Sequence, residues 1–287
     1  MDNVHHITKR KNKTKNIDMA ESFKHIILLT DFSDPAKNAI SYAIDAFGEN
    51  AEYNLVNAYY ARTSSATLLD LNDMLAKESE QGLTEEKDWI EEKYANMNLS
   101  IKTHSVFGSP VDAIKKMKRS GDYDIVIMGT KGSSGVDAVL FGSVASNVIR
   151  STVVPVISIP PEYSFNGFKN VVFATDGKAL DDYNIIAPIA KLQEQFKSNV
   201  TLFSVNQDDQ KFNWEDLKIH IENAHYATVE GTDISAEVTS YCQEKNADLL
   251  VILPKHTGFF DRMFHHSVSK ELVEQAKMPI LSLEYDK

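Results

Sequence analysis

The sequence has very little cysteine and no long apolar run. Its 287 residues include a single cysteine, Cys242, so an intrachain disulfide framework and a cysteine-based zinc cluster are excluded. No stretch approaches the roughly 18 consecutive apolar residues of a membrane-spanning helix. Basic residues are also few, 30 against 41 acidic ones, for a formal net charge of −11. This balance argues against a general binder of nucleic acids or membrane surfaces, because both partners are anionic.

The length and composition therefore predict an acidic, soluble, cytoplasmic protein of about two domains. The first residues differ from the rest: residues 1–18 hold five basic and two acidic side chains, a local charge of +3 against −14 for the remainder. They lack apolar periodicity and an apolar signal core, so residues 1–22 are predicted to form a disordered basic arm rather than a secretory signal. Two further hypotheses concern this arm: that it binds nucleic acid or a partner, and that the biological start is Met19.

From Phe23 onward, short apolar runs alternate with segments of helical periodicity. The run from His25 to Thr30 is bounded by turn residues, which is typical of a buried parallel strand. Ser33 or Asp34 can cap the helix that follows. The alternation continues to a last apolar run at residues 153–158. Strands that alternate with helices predict βαβ units, hence a mostly parallel sheet covered on both faces.

The same pattern then restarts. Residues 168–176 repeat residues 23–31 at an offset of 145 positions, and residues 248–251 repeat residues 124–127 at an offset of 124 that holds to the last predicted strand. A constant offset indicates that one α/β unit has been duplicated. The predicted organisation is a basic arm at 1–22, a first unit at 23–159, a Pro- and Gly-marked linker at 160–167 and a second unit at 168–287.

A glycine-rich loop follows the fourth predicted strand. Gly129, Gly132 and Gly142-Ser143 have the spacing G-x2-G-x9-G-S. Glycines let the backbone approach an anion, N–H groups in a loop can form a concave nest, and a helix that begins at Gly142 adds unpaired N–H groups. Ligands of open parallel sheets lie beyond the carboxyl ends of the strands, where Asp31 and the turn after Ala58 would face one crevice. The pattern favours a phosphate site, and a flexible surface loop is the alternative.

This constellation resembles the universal stress protein family. The likeness is carried by the segments 29–33, 107–110, 127–132, 141–144 and 154–156. It covers residues 23–159 and, more loosely, residues 168–284. The resemblance implies a tandem protein of two doubly wound, Rossmann-like α/β domains, each with a five-stranded parallel sheet in the order 3-2-1-4-5. It also implies pairing of two units through their last strands, either within the chain or in a homodimer.

The resemblance further implies an ATP site in the first unit, with Mg²⁺ as a candidate companion ion. Phosphates would be held by Gly129, Gly132, Gly142 and Ser143 and by the backbone N–H of Val144, while Asp31 would meet the ribose and Ala58 the adenine. Ala58 stands where the family more often has valine. Lys131 would point toward the phosphates or into solvent.

The implied function is a nucleotide-binding module in a stress response or in signalling, with adenine nucleotide as the partner. A slow ATPase is one alternative, although no catalytic set is recognisable around Lys131, Asp137 and Asp31. A dimerisation scaffold that binds no ligand is the other alternative.

The second unit has lost the glycine loop. At the offset of 124, the three glycines correspond to Leu253, His256 and His266. Side chains at these positions would crowd a phosphate, so the second unit is predicted not to bind ATP in the family manner. His256, His265 and His266 could instead ligate a metal. Against this, His265 and His266 are adjacent and point in different directions, so a solvated loop end is the favoured alternative.

Overall fold

The computed structural model describes residues 22–60, 68–132, 142–151, 153–175, 183–206, 221, 223–253 and 278–284. Residues 1–21, which make up nearly all of the predicted arm, lie outside the described residues. So do the candidate metal ligands His256, His265 and His266, as well as Asp137 and Asp176.

The described strands and helices alternate along the chain. The strands are β1 His25–Leu29, β2 Glu52–Tyr59, β3 Ser100–Phe107, β4 Ile125–Gly129, β5 Val156–Ile159, β6 Asn170–Ala174, β7 Asn199–Asn206, β8 His225–Glu230, β9 Leu249–Ile252 and β10 Ile280–Ser282. The helices are α1 Asp34–Phe47, α2 Leu68–Lys93, α3 Pro110–Ser120, α4 Ser143–Ser151, α5 Ala187–Phe196 and α6 Ile234–Glu244.

The strands form a single ten-stranded sheet in the order β3-β2-β1-β4-β5-β10-β9-β6-β7-β8. Within each half all neighbouring strands are parallel, and each half has the order 3-2-1-4-5 in its own numbering. The predicted α/β class and strand order are therefore confirmed. The halves meet where β5 and β10 pair antiparallel, with Ile157 opposite Leu281.

Residues at the starts of the helices explain why the chain turns after several strands. Ser33 precedes α1, and its hydroxyl accepts a hydrogen bond from the Ala36 N–H. Ser109 precedes α3 and exchanges hydrogen bonds with Asp112 in a capping box. Each cap satisfies N–H groups that a helix start leaves without a partner. The caps at these two helices fix where β1 and β3 end, and so where the carboxyl edge of the first half lies.

Apolar side chains form one core on each face of the sheet. One core is packed beneath α1, α2 and α5, and the other beneath α3, α4 and α6. The first core runs across the junction of the halves, because ring centroids lie 5.8 Å apart for Phe47 and Phe196 and 6.4 Å apart for Phe47 and Phe168. The linker joins this cluster through Phe165, whose ring lies 5.2 Å from that of Tyr42.

Two further properties of the described residues bear on function. None of their helices has the length and hydropathy of a membrane-spanning segment. Cys242 lies buried in α6, and burial raises the pKa of its thiol to about 12. A thiol that stays protonated at neutral pH is a poor nucleophile, so Cys242 serves packing.

An ion pair also joins the two halves. The Asp124 carboxylate accepts hydrogen bonds from the backbone N–H groups of Lys24 and His25, at 2.8 and 2.9 Å, and from the Lys191 ammonium group of α5. Burial opposes ionisation of Asp124, but these three donors outweigh it and lower the pKa of the carboxyl. Asp248 accepts the equivalent pair of N–H groups, from Lys169 and Asn170, in the second half.

We expect Lys191→Met to lower the free energy of unfolding at pH 7 by about 1.5–3 kcal/mol, since it removes a charge-assisted hydrogen bond to a partly buried carboxylate. Because the folded pKa of Asp124 is lowered, the contribution of this pair is present above the unfolded pKa and is lost as pH falls through the folded value. Urea unfolding between about pH 3 and 8 measures this.

The matched control is Lys245→Met, since Lys245 pairs with Glu244 at an exposed site where both side chains are about half or more accessible. An exposed pair contributes little to stability, because both charges stay solvated and are screened by salt. Equal losses in the two variants would contradict a role for the Lys191 pair in joining the halves.

Candidate functional site

The carboxyl ends of β1, β2 and β4 meet at one edge of the first half. The Thr30 N–H donates to the Val56 carbonyl at 3.0 Å, and the Asn57 side-chain amide donates to the Thr30 carbonyl at 2.8 Å. Strand β1 lies between β2 and β4, and the helices that follow β1 and β4, α1 and α4, pack on opposite faces of the sheet. This is the switch point at which α/β sheets bind ligands.

A strained turn follows β1 at this edge. Phe32 has φ of 64°, a left-handed conformation that is uncommon outside glycine. Its N–H donates to the Thr30 hydroxyl at 2.9 Å. The Asp31 carboxylate accepts from the N–H and the hydroxyl of Ser33, so one of its oxygens, Oδ1, caps the turn.

The glycines after β4 bring the backbone close to this turn. A Cβ at Gly132 would lie 2.5 Å from Oδ2 of Asp31, and a Cβ at Gly129 would lie 3.0 Å from the Pro35 carbonyl oxygen. The first contact would require the Asp31 carboxylate to move, and the second is tighter than ordinary van der Waals contact with backbone atoms. The loop therefore lies directly against the Asp31 carboxylate and the first turn of α1, and a Cβ would force one of these neighbours to shift.

Helix α4 begins beside the same loop. The Gly142 N–H donates to the Thr130 carbonyl at 2.8 Å, and its carbonyl accepts from the Ser146 N–H at 3.0 Å. Gly142 thus occupies the N-cap position, and the next N–H groups, at Ser143 and Val144, have no acceptor within the helix. Both residues are exposed at the surface. Their N–H groups and the helix dipole make this end of α4 attractive to an anion.

The structure brings together most of the residues that the sequence selects. The loop that follows β4 begins at Gly129 and includes Gly132 and Gly142. It lies against Asp31 at Gly132. Ala58 lies at the same edge on β2, which is separated from β4 by β1. Residues 133–141, the middle of the predicted loop, lie outside the described residues.

Sequence reasoning missed the contribution of α2 to this edge. Gly82 of α2 packs against the Phe32 ring, since a Cβ there would lie 2.6 Å from ring atoms. One turn further, Glu86 is buried at 2% exposure beside Thr30. The available signal was the spacing: Ser79, Leu83, Glu86 and Ile90 recur at intervals of three and four residues, so Glu86 occupies a core position of the helix.

The second half has a different surface at the equivalent edge. The Thr175 N–H donates to the Phe203 carbonyl at 2.9 Å, which repeats the Thr30 arrangement. Leu253, the counterpart of Gly129, is 3% exposed and belongs to the core beneath α1, α2 and α5. A buried leucyl side chain therefore occupies the place at which the first half has only backbone. The histidines considered as metal ligands, His256, His265 and His266, lie outside the described residues. The residues that are described contain no cluster of three or more metal-ligating side chains.

Comparison with known proteins identifies relatives of both halves. The sequence profile of the Universal stress protein family matches residues 22–160 and 215–283. A universal stress protein of Methanocaldococcus jannaschii is 28% identical over 143 residues, 48% of this chain and 82% of the relative. One from Mycobacterium tuberculosis is 26% identical over 141 residues, 48% of this chain and 97% of the relative. The crystal structure of a universal stress protein from Archaeoglobus fulgidus superposes with a TM-score of 0.66 at 21% identity, over 90% of this chain and 97% of that one.

The three glycines should differ in their effect on stability. Gly129→Ala forces a Cβ against backbone atoms that cannot rotate away, so we expect a loss of about 1–3 kcal/mol in the free energy of unfolding. Gly132→Ala should cost less, because the Asp31 side chain can move. A Cβ at Gly142 would come no closer than 3.6 Å to the Thr130 carbonyl oxygen, so Gly142→Ala should stay within about 1 kcal/mol of the unmodified protein. Urea unfolding ranks them, and an equal loss at Gly142 and Gly129 would refute this geometry.

Proposed function

Because the chain belongs to the universal stress protein family, we propose that its first half binds one adenine nucleotide, ATP, at the carboxyl edge of β1, β2 and β4. The observation that carries this proposal is the contact between Gly132 and Asp31. It places loop backbone within reach of an acidic side chain, so that one ligand with both phosphate and hydroxyl groups can meet N–H donors and a carboxylate together.

Each part of the nucleotide has a partner of suitable chemistry. The phosphates would accept hydrogen bonds from the loop at Gly129 and Gly132 and from the start of α4, where Gly142 lets them approach and Ser143 and Val144 supply N–H groups. Asp31 would accept from the ribose hydroxyls, since a carboxylate repels phosphate but accepts from a hydroxyl. Adenine would lie against the carboxyl end of β2, where the small Ala58 side chain leaves room.

The acidity of the whole chain does not oppose this site. A net charge of −11 acts over the whole surface and is screened beyond roughly 8–10 Å at physiological ionic strength. Backbone N–H groups act within hydrogen-bond distance. A Mg²⁺ ion would arrive with the nucleotide, bound chiefly through its phosphates and water.

We further propose one nucleotide per chain. The second half, residues 168–287, has Leu253 buried at the position of Gly129, so its loop cannot approach a phosphate in the same way. The two units, 23–159 and 168–287, then have separate roles: the first binds the ligand, and the second completes the sheet and the shared core. This asymmetry favours a ligand-responsive module in stress signalling over a pair of equivalent catalytic units.

The experiment is to extract the purified protein with acid, identify any bound nucleotide, and titrate the nucleotide-depleted protein with ATP by calorimetry. We expect a stoichiometry of one per chain. Gly142→Asp should weaken binding by about 100-fold, because it places a carboxylate where phosphate must approach. Gly142→Asn is the matched control: it has the same shape without the charge, and it should weaken binding by less.

Asp and Asn are both good N-cap residues, so the two variants should unfold at similar urea concentrations. Equal binding by Gly142→Asp and the unmodified protein would refute the site. Binding of two nucleotides would refute the asymmetry. Absence of nucleotide in every sample would favour a scaffold, and steady release of phosphate from ATP would favour a slow ATPase.

A further inference from the structure

Glu86 is a buried acid that the proposed nucleotide contacts do not use. It lies on α2 among core side chains such as Leu83 and Ile90, and it is 2% exposed. Within the part of the chain that the structure describes, neither carboxyl oxygen has a hydrogen-bond partner of good geometry. Burial of an unpaired carboxylate is strongly unfavourable, so a role for Glu86 must account for this position.

Helix α2 packs chiefly on β2 and β3, while the polar and charged groups that act on the Glu86 carboxyl come from the end of β1, its turn and α1. Thr30 and Asp31 belong to the end of β1 and its turn, and Lys37 belongs to α1. The Thr30 hydroxyl already accepts the N–H of Phe32, at 2.9 Å. Its proton remains available to a second group, and its position beside Glu86 opposes the rise in the pKa of that carboxyl.

Helix α2 also packs directly against the turn that follows β1. The Phe32 ring lies against Gly82, one helical turn before Glu86. The next residue back, Asp31, directs its carboxylate to Gly132 in the loop after β4. Helix α2, which carries Glu86, therefore packs against the turn that also carries Asp31, the proposed ribose contact.

The charge of Glu86 changes in the physiological range. Burial raises the pKa of its carboxyl to about 7, the Asp31 carboxylate acts in the same direction, and the Thr30 hydroxyl and Lys37 ammonium groups oppose it. In the protonated state Glu86 adds no negative charge beneath the pocket and can donate a hydrogen bond. In the ionised state it adds a second carboxylate next to Asp31, in a low-dielectric setting where repulsion of an anionic ligand is little screened.

We propose that Glu86 is a positioning residue of the nucleotide pocket, which holds the Asp31 turn in its ligand-binding form when its carboxyl group is protonated and weakens nucleotide binding when it is ionised. The inference rests on the proposed function, because it concerns the same pocket. It adds a regulatory property: the affinity for an anionic nucleotide falls as pH rises through neutrality.

The test compares ATP affinity of the unmodified protein and Glu86→Gln, which keeps the shape of the protonated acid, from about pH 5.5 to 8.5. ATP itself titrates in this range, so the informative quantity is the ratio of the two dissociation constants at each pH. We expect a ratio near one at the acidic end and about three- to tenfold tighter binding by Glu86→Gln at the alkaline end. Glu92→Gln, an exposed acid on the same helix, is the matched control and should give a ratio that does not change with pH.

Stability without nucleotide provides a second readout. A folded pKa above the unfolded one means that the stabilising effect of protonation is complete below the unfolded pKa, about 4.3, and is lost as pH rises through about 7. The urea midpoint of Glu86→Gln should therefore exceed that of the unmodified protein at alkaline pH and approach it in acid. If Glu86→Gln does not fold, Glu86→Met supplies a neutral side chain of similar length.

The outcomes separate the two proposals. A pH-dependent stability difference with a constant ratio of dissociation constants would make Glu86 merely a buried acid and would overturn the positioning role. Absence of ATP binding at every pH would overturn the proposed nucleotide site, and the positioning role with it. A stability difference that does not depend on pH would show that Glu86 does not titrate in this range and would overturn the inference alone.

Discussion

The antiparallel pairing of β5 with β10 is the contact on which the arrangement of the molecule depends. Ile157 lies opposite Leu281, and these residues are equivalent in the duplicated sequence, 124 positions apart. An approximate two-fold axis therefore passes between them. The neighbouring pairs follow the same symmetry: Val156 faces Ser282, and their equivalents in the other half, Ile280 and Ser158, face each other. Two parallel sheets, each of which would have an exposed edge at its last strand, become one sheet.

This pairing determines what else can happen at the junction. Both β5 and β10 have strands on each side, so neither edge is available to pair with a second chain. A homodimer of this protein would have to use another surface. The pairing also brings α1 and α5 to the same face, where the rings of Phe47, Phe168 and Phe196 complete one core across both halves. The linker extends this core through Phe165, so it is a packed part of the structure.

The direction of the strands separates the carboxyl edges of the two halves. Within each half the strands are parallel, and the halves are joined by an antiparallel pair. The carboxyl edge of the first half therefore faces the opposite way from that of the second half. A single ligand cannot bridge the two edges, so each must be judged by its own residues. Gly129 allows close backbone approach at one edge, and Leu253 fills the corresponding space at the other.

Sequence alone predicted the sheet and much of the proposed pocket, because these depend on local patterns. Apolar runs, caps such as Ser33 and Ser109, and the constant offset of the repeat are visible without coordinates. The role of α2 was not visible in the sequence, because Gly82 and Glu86 matter only through their proximity to a turn about 50 positions earlier. The ion pair between the halves was equally hidden. Asp124 and Asp248 are equivalent in the repeat, but the Lys191 ammonium that donates to Asp124 comes from the other half.

The position of Glu86 shows how a repeat can acquire a property that its pattern does not reveal. A helix that packs on a sheet needs an apolar face, and replacement of one core residue by an acid normally costs stability. Here the acid lies beneath the turn that carries Asp31, so its charge acts on the part of the molecule where an anion would bind. Because the second half has no glycine loop at its own edge, the same substitution there would cost stability without affecting a phosphate. The buried acid and the glycine loop thus belong to the same half, and the proposed positioning role acts through Thr30 and the strained backbone of Phe32.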